Sequence, residues 1–125
     1  LKSFGEILWR NVRNKVDKVC RYGGDEFVII LPYTFWKNAS LIAERICKSW
    51  EEKEFTLVTL SIGIAQLIER KSLEDSISDL INRADKAMYE AKKIKKNSWV
   101  VDKESSKQFL DGEFQGGGEP SQSLL

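Results

Sequence analysis

Residues Arg21–Phe27 read Arg-Tyr-Gly-Gly-Asp-Glu-Phe, and they hold the side chains of this sequence best placed to do chemistry. Two adjacent carboxylates, Asp25 and Glu26, follow Gly23-Gly24, a pair that accepts positive φ and so closes a tight hairpin. Backbone N–H groups at such a turn are unshielded by side chains. A phosphate can approach them closely while the carboxylates hold Mg²⁺. The same four residues also make a good turn with no ligand, so Gly-Gly-Asp-Glu alone leaves both readings open. Further on, Lys92 and Lys96 are four residues apart, which places them on one helix face if the helix reaches that far. Two cations there could grip an anion, or could simply complement the C-terminal end of a helix dipole.

Composition narrows the chemistry. The sequence contains no histidine, which removes the commonest general base, most zinc sites and hydrolases of the Ser-His type. A catalyst built from these residues must use carboxylates, lysines and a hard cation on oxygen ligands. Twenty basic against nineteen acidic side chains leave a net charge of +1. Nothing global therefore favours nucleic acid or an anionic membrane, and an anionic ligand needs a local site. No apolar run approaches the ~18–20 residues of a membrane span, so no membrane segment is expected. Cys20 and Cys47 have no framework spacing and read as reduced core residues of a cytoplasmic protein. The first residue is Leu1, already inside an amphipathic pattern, as expected of a fragment.

The elements that must position these groups follow from periodicity. Leu1, Phe4, Leu8 and Val12 recur at helical spacing. Lys18–Tyr22 and Glu26–Leu31 read as the strands of a hairpin, the second stopped by Pro32. A helix is expected over Trp36–Trp50, with Ala39, Ile42, Ala43, Ile46 and Trp50 on its core face. A strand is expected over Phe55–Ala65, with Val58, Leu60, Ile62 and Ile64 on one side. Ser72 is an N-cap candidate for a third helix, whose core face would be Leu73, Ile77, Leu80, Ile81, Ala84, Met88 and Ala91. Trp99–Val101 forms a last strand. From Lys103 the composition turns to Ser, Gln, Glu and Gly, so residues 103–125 are expected to be a disordered tail behind a domain of residues 1–102. The order of helix, hairpin, helix, strand, helix, strand predicts an α+β fold with helices over an antiparallel or mixed sheet.

The heptapeptide resembles the signature of the GGDEF domain of diguanylate cyclases. Three further stretches agree in order: Ser61-Ile62-Gly63-Ile64-Ala65, the helix segment Ala84-Asp85-Lys86-Ala87-Met88-Tyr89-Glu90-Ala91-Lys92, and Asn97. The resemblance runs from Leu1 to about Val101 and implies a ferredoxin-like, nucleotidyl-cyclase-like sheet covered by helices. It implies condensation of two GTP to cyclic di-GMP and pyrophosphate by an antiparallel homodimer, with Mg²⁺ or Mn²⁺. Asp25 then matches a metal ligand and candidate base for the 3′-hydroxyl, and Glu26 lies next to the same metals. Gly23 and Gly24 let the nucleotide lie against the turn, and Lys92 and Lys96 grip phosphate. Lys96 stands where the family usually has Arg, which keeps the charge and loses the bidentate fork; Lys95 replaces the usual Gly. An inhibitory site for cyclic di-GMP would use Asp17 and Arg45, with Asn14 in the usual Arg position and Arg13 beside it; Asp17 reads equally as a solvated turn carboxylate.

The resemblance also places a first strand, with another metal-binding Asp, upstream of Leu1 and centrally between Glu26–Leu31 and Thr56–Ile64. The chain alone is therefore expected to be inactive, and its two flanking strands to pair directly or to take a strand from a second copy. A module that binds GTP or cyclic di-GMP without turnover is the alternative. The resemblance leaves open whether the parent protein is membrane-tethered.

Overall fold

A computed structural model describes residues 2–23, 26–53, 58–94, 96–109 and 123–124. In chain order the elements are α1 (Lys2–Arg10), β1 (Lys18–Gly23), β2 (Glu26–Leu31), α2 (Trp36–Glu51), β3 (Ser61–Gln66), α3 (Leu73–Ile94), β4 (Ser98–Val101), α4 (Lys103–Gln108) and β5 (Ser123–Leu124). The strands form one sheet in the order β1-β2-β5-β3-β4. Up to β4, the order of elements matches the periodicity of the sequence.

β1 and β2 pair antiparallel from Lys18↔Ile30 to Arg21↔Phe27, and then Gly23 pairs with Glu26. Tyr22 is thus the extra residue of a bulge, and its side chain is exposed. The bulge draws Gly23 into the ladder instead of the turn. The connecting residues, Gly24 and Asp25, lie outside the described residues.

The alternation of β2 divides the core between two faces. Ile29 and Leu31 join Ile64 of β3 under α1 and α2, where Ile7, Leu8, Ala39, Ala43, Ile46 and Trp50 are buried. Phe4 meets Phe27 and Trp50 edge-on, with ring centroids 5.0 and 5.2 Å apart. Such pairs each add about 0.5–1.5 kcal/mol beyond their burial. On the opposite face, Val28 and Ile30 pack with Ala65, Leu80 and Ala84 beneath α3. Cys47 is buried as expected, whereas Cys20 is exposed on β1, near the sheet edge.

Two expectations shift. The strand expected from Phe55 begins only at Ser61; Glu54–Leu57 lie outside the described residues, and Val58–Leu60 are not in a strand. Side chains satisfy that stretch instead of a ladder: Trp50 Nε1 donates to the Val58 carbonyl at 2.9 Å, and Asn97 Oδ1 accepts the Leu60 N–H at 2.8 Å. In α3, Ser72 caps as expected, its Oγ accepting the Asp75 N–H at 3.0 Å. The buried face, however, is Ser76, Arg83, Ala84, Ala87 and Ala91, while Leu73, Ile77 and Ile81 are exposed.

The reason for that rotation is how closely α3 approaches β3. A Cβ added to Gly63 would run into the Ala84 carbonyl oxygen and the Met88 backbone. Only small residues fit such a contact, so alanines occupy it and the larger aliphatics turn outward. Gly63→Ala is expected to cost about 1–3 kcal/mol or more, because both colliding partners are backbone. A denaturant midpoint unchanged by this substitution would contradict the packing described.

The tail expected to be disordered from Lys103 instead begins with a helix. Asp102 caps α4 by accepting the Ser105 N–H at 3.1 Å. Phe109 is buried against Phe35 and Ile68, and its carbonyl accepts Trp36 Nε1–H at 2.7 Å. Residues 110–122 lie outside the described residues. β5 then fills the centre of the sheet, antiparallel to β2 (Ile30↔Leu124, Leu31↔Ser123) and to β3 (Ala65↔Leu124, Gln66↔Ser123). β2 and β3 are therefore mutually parallel, as a crossover through α2 requires. They do not pair directly, because this chain's own Ser123–Leu124 lies between them. Among the described residues, no helix is long and apolar enough to cross a membrane.

Candidate active site

Parallel β2 and β3 bring their N-terminal ends to the same end of the sheet, and α3 runs back to that end before β4. The signature hairpin and the C-terminal turn of α3 thus lie at the same end of the sheet. At the hairpin, Gly23 and Glu26 are exposed. A Cβ on Gly23 would meet nothing within 4 Å, so the backbone there is open to a ligand. Arg21 places its guanidinium 5.9 Å from the centre of the Phe27 ring, on the same strand pair.

At the other element, α3 ends at Ile94, so Lys92 lies on the helix and Lys96 beyond it. They do not share a helical face. Both are exposed, and Lys95 lies outside the described residues. Asn97 follows with φ of 51°, a left-handed position that Asn tolerates well. Its side chain holds Leu60, Ser98 N–H donates to the Leu60 carbonyl at 3.2 Å, and Ser98 Oγ donates to the Ala91 carbonyl at 2.8 Å. These bonds weld the end of α3 to the start of β3. Lys93 is turned aside, with Nζ 4.6 Å from the Tyr89 ring centre and 3.7 Å from Glu90.

Glu26 supplies a hard oxygen ligand, but an ion such as Mg²⁺ takes about six. Among the described residues no group of three or more acids or cysteines could hold a metal. The described donors therefore do not by themselves form a metal site, and Asp25 lies outside them.

The three residues expected at an inhibitory site are already engaged. Asp17 is buried, not solvated, with 1% of its surface exposed. It accepts the Arg13 backbone N–H at 2.7 Å and the Arg13 guanidinium at 2.6–3.1 Å. The hydrogen bond to Asp17 raises the Arg13 guanidinium above its ordinary value. The same Arg13 donates to the Pro32 carbonyl at 2.6 Å and to Thr34 Oγ1 at 2.9 Å, tying the α1–β1 loop to the end of β2. Arg45, from α2, donates to the Asn11 carbonyl at 2.9 Å. The structure thus brings Arg13, Asp17 and Arg45 to one loop and gives each a structural partner.

A second polar cluster was not expected from the sequence. Arg83, 7% exposed, donates to Asp79 at 2.8 Å, Asp102 at 2.9 Å, Ser105 Oγ at 3.1 Å and the Gln66 carbonyl at 2.8 Å. Arg70 joins Asp79 at 3.1 Å and also pairs with Glu104. Burial pushes the Asp79 carboxyl up, but the guanidiniums of Arg70 and Arg83 outweigh it and hold it below the usual value. The cluster pins α4 to α3 and lies at the C-terminal ends of β2 and β3, opposite the signature hairpin. An Arg inside an amphipathic helix gives no sequence signal that it will be buried.

The profile of the family described as diguanylate cyclase, GGDEF domain, matches residues 1–98. This chain belongs to the GGDEF domain family. It is 38% identical over 109 residues to diguanylate cyclase A of Treponema denticola, covering 82% of this chain and 28% of that protein. It is 38% identical over 108 residues to the response regulator PleD of Caulobacter vibrioides, covering 80% and 23%. With diguanylate cyclase VdcA of Vibrio cholerae it shares 32% over 110 residues, covering 75% and 31%. The chain thus spans about a quarter to a third of the length of these relatives.

Proposed function

We propose that the protein carrying this chain is a diguanylate cyclase, condensing two GTP to cyclic di-GMP with release of pyrophosphate. The observation that carries the reading is the Arg21–Phe27 hairpin, whose open Gly23 and exposed Glu26 lie at the same end of the sheet as Lys92 and Lys96. Relatives bearing that activity in their names support it.

In this reading Gly23 and Gly24 let the nucleotide lie against the hairpin, and Lys92 and Lys96 bind its phosphates. Each 3′-hydroxyl attacks the α-phosphate of the other GTP; an O–P bond forms, the bond to pyrophosphate breaks, and the hydroxyl proton leaves. Joining two nucleotides in this way calls for two protomers, hence a homodimer. A divalent ion, Mg²⁺ or Mn²⁺, would neutralise phosphate charge. Asp25 and Glu26 are its proposed ligands, with Asp25 also the candidate base. The resemblance places a further metal-binding Asp upstream of Leu1, so this chain alone is expected to make no product. A cytoplasmic setting suits the exposed Cys20 thiol, which stays reduced there.

The test is incubation of the whole protein with GTP and Mg²⁺, followed by separation of the nucleotides. Cyclic di-GMP and pyrophosphate in a 1:2 ratio is the expected result. GTP that binds but is never converted would replace this reading with the non-catalytic one.

Product feedback is proposed to be weak, because Arg13 is held by Asp17, Pro32 and Thr34 while Asn14 cannot form an Arg fork. Arg13→Ala is expected to lower stability by about 1–3 kcal/mol and to leave cyclic di-GMP inhibition nearly unchanged. Sub-micromolar inhibition that disappears in Arg13→Ala would reverse that conclusion.

A further inference from the structure

β4 is an outer strand of the sheet, so the flank of α2 that faces it has no further strand to cover it. Glu44, Cys47 and Lys48 stand three and four residues apart and share one face of α2. Trp99 shares a face of β4 with Val101, which packs against the core beneath α2. The Trp99 ring therefore looks toward the same helix flank. Together with Ile94, Asn97 and Ser98, these residues line an open-sided cavity of about 380 Å³. That volume falls within the range of small-molecule sites, near its lower end.

The lining divides by chemistry. Cys47 and Ser98 are each 5% exposed and form the floor, while Trp99 and Ile94, 36% and 63% exposed, form apolar walls. At the rim, Lys48 Nζ lies 3.6 Å from Glu44, and both side chains reach well into solvent. Such a pair contributes little stability and yields readily to a ligand that satisfies both partners. Asn97 Oδ1 already accepts the Leu60 N–H, which leaves Asn97 Nδ2 to donate. One ammonium and one carboxylate give the lining no net charge. A lone anion would face Glu44, and a lone cation would face Lys48. A head group that carries both charges meets both.

We propose that this cavity binds a small aromatic zwitterion, in its simplest form an aromatic amino acid. Its ring lies between Trp99 and Ile94 above Cys47, its ammonium on Glu44, and its carboxylate on Lys48 and Asn97. Aromatic rings pack favourably on an indole and against sulfur. For a ligand of about a dozen heavy atoms, half-saturation is expected near millimolar concentration. Asn97 adjoins Lys96, a proposed phosphate ligand, but binding in the cavity does not require turnover of GTP.

Thiol labelling of the whole protein, read by mass spectrometry of its digest, tests the proposal with exposed Cys20 as the internal reference. Methyl methanethiosulfonate transfers its methylthio group to a thiolate: an S–S bond forms, methanesulfinate leaves, and the thiol proton goes to solvent. L-phenylalanine at about 10 mM is expected to slow labelling of Cys47 at least about threefold and to leave Cys20 unchanged. Glycine, which lacks the ring, and hydrocinnamate, which lacks the ammonium, should protect little. Replacing both rim groups, Glu44→Gln with Lys48→Gln, should abolish protection while the melting temperature stays within about two degrees. Cys47 that labels only as fast as the protein unfolds would show that the cavity does not reach the thiol, and would overturn the site. Absence of protection by phenylalanine would overturn it too, leaving a solvated groove. Equal protection by hydrocinnamate, or full protection in the double variant, would overturn the zwitterion.

Discussion

Replacing Arg83 with methionine is expected to lower stability by about 3 kcal/mol or more, a fall in melting temperature of roughly 10–20 °C for a domain of this size. Methionine fills much of the same space, so the cost is chiefly electrostatic. Without the guanidinium, Asp102 keeps only Ser105, and the buried Gln66 carbonyl loses its donor. A buried acceptor left without a partner costs about 1–3 kcal/mol, and a charged one more. The effect should depend on pH. Asp79 has a folded-state pKa below its unfolded value, so its contribution is complete above the ordinary carboxylate range and is lost as pH falls through the lowered value. Arg83→Met removes one of the two guanidiniums that lower it. The stability gap between variant and wild type should therefore narrow on acidification below about pH 4. A gap that stays constant from pH 7 to pH 3 would mean that Arg83 acts through packing and its bonds to the neutral Gln66 carbonyl and Ser105, not through the carboxylates.

Asp25→Ala in the whole protein is expected to reduce cyclic di-GMP formation by at least about a hundredfold while leaving the melting temperature within a degree or two. The separation of the two readouts is the point of the experiment. The neighbouring hairpin residues Gly23 and Glu26 are exposed, and the β1–β2 ladder is maintained by backbone pairing from Lys18 to Gly23. Losing a carboxylate beside an exposed turn removes little folding energy. Losing a proposed ligand and base removes stabilisation needed where charge moves during phosphoryl transfer. Glu26→Gln, which keeps shape and loses charge, should give a smaller loss. Full turnover by Asp25→Ala would place the chemistry elsewhere.

By itself, the sequence determined the family, the alternation of elements up to β4 and the boundaries of α2, because these rest on local signals. A hydrophobic period needs only neighbours along the chain, and Arg-Tyr-Gly-Gly-Asp-Glu-Phe is recognisable without its surroundings. It also nominated the candidate site, since Gly23, Glu26, Lys92 and Lys96 are surface residues whose proposed roles do not depend on burial. Tertiary structure decided the rest. The face of α3 was set by its approach to Gly63, and a count of aliphatic positions pointed to Leu73, Ile77 and Ile81 instead. The burial of Asp17 and Arg83 was illegible because charged residues read as solvated until their partners, up to 22 positions away for Arg83 and Ser105, are brought together. The place of Ser123–Leu124 was the least legible of all. A polar, glycine-rich approach carries no strand signal, and two residues show no period; the segment becomes a strand because β2 and β3 present buried, parallel edges one strand's width apart, with hydrogen bonds to satisfy.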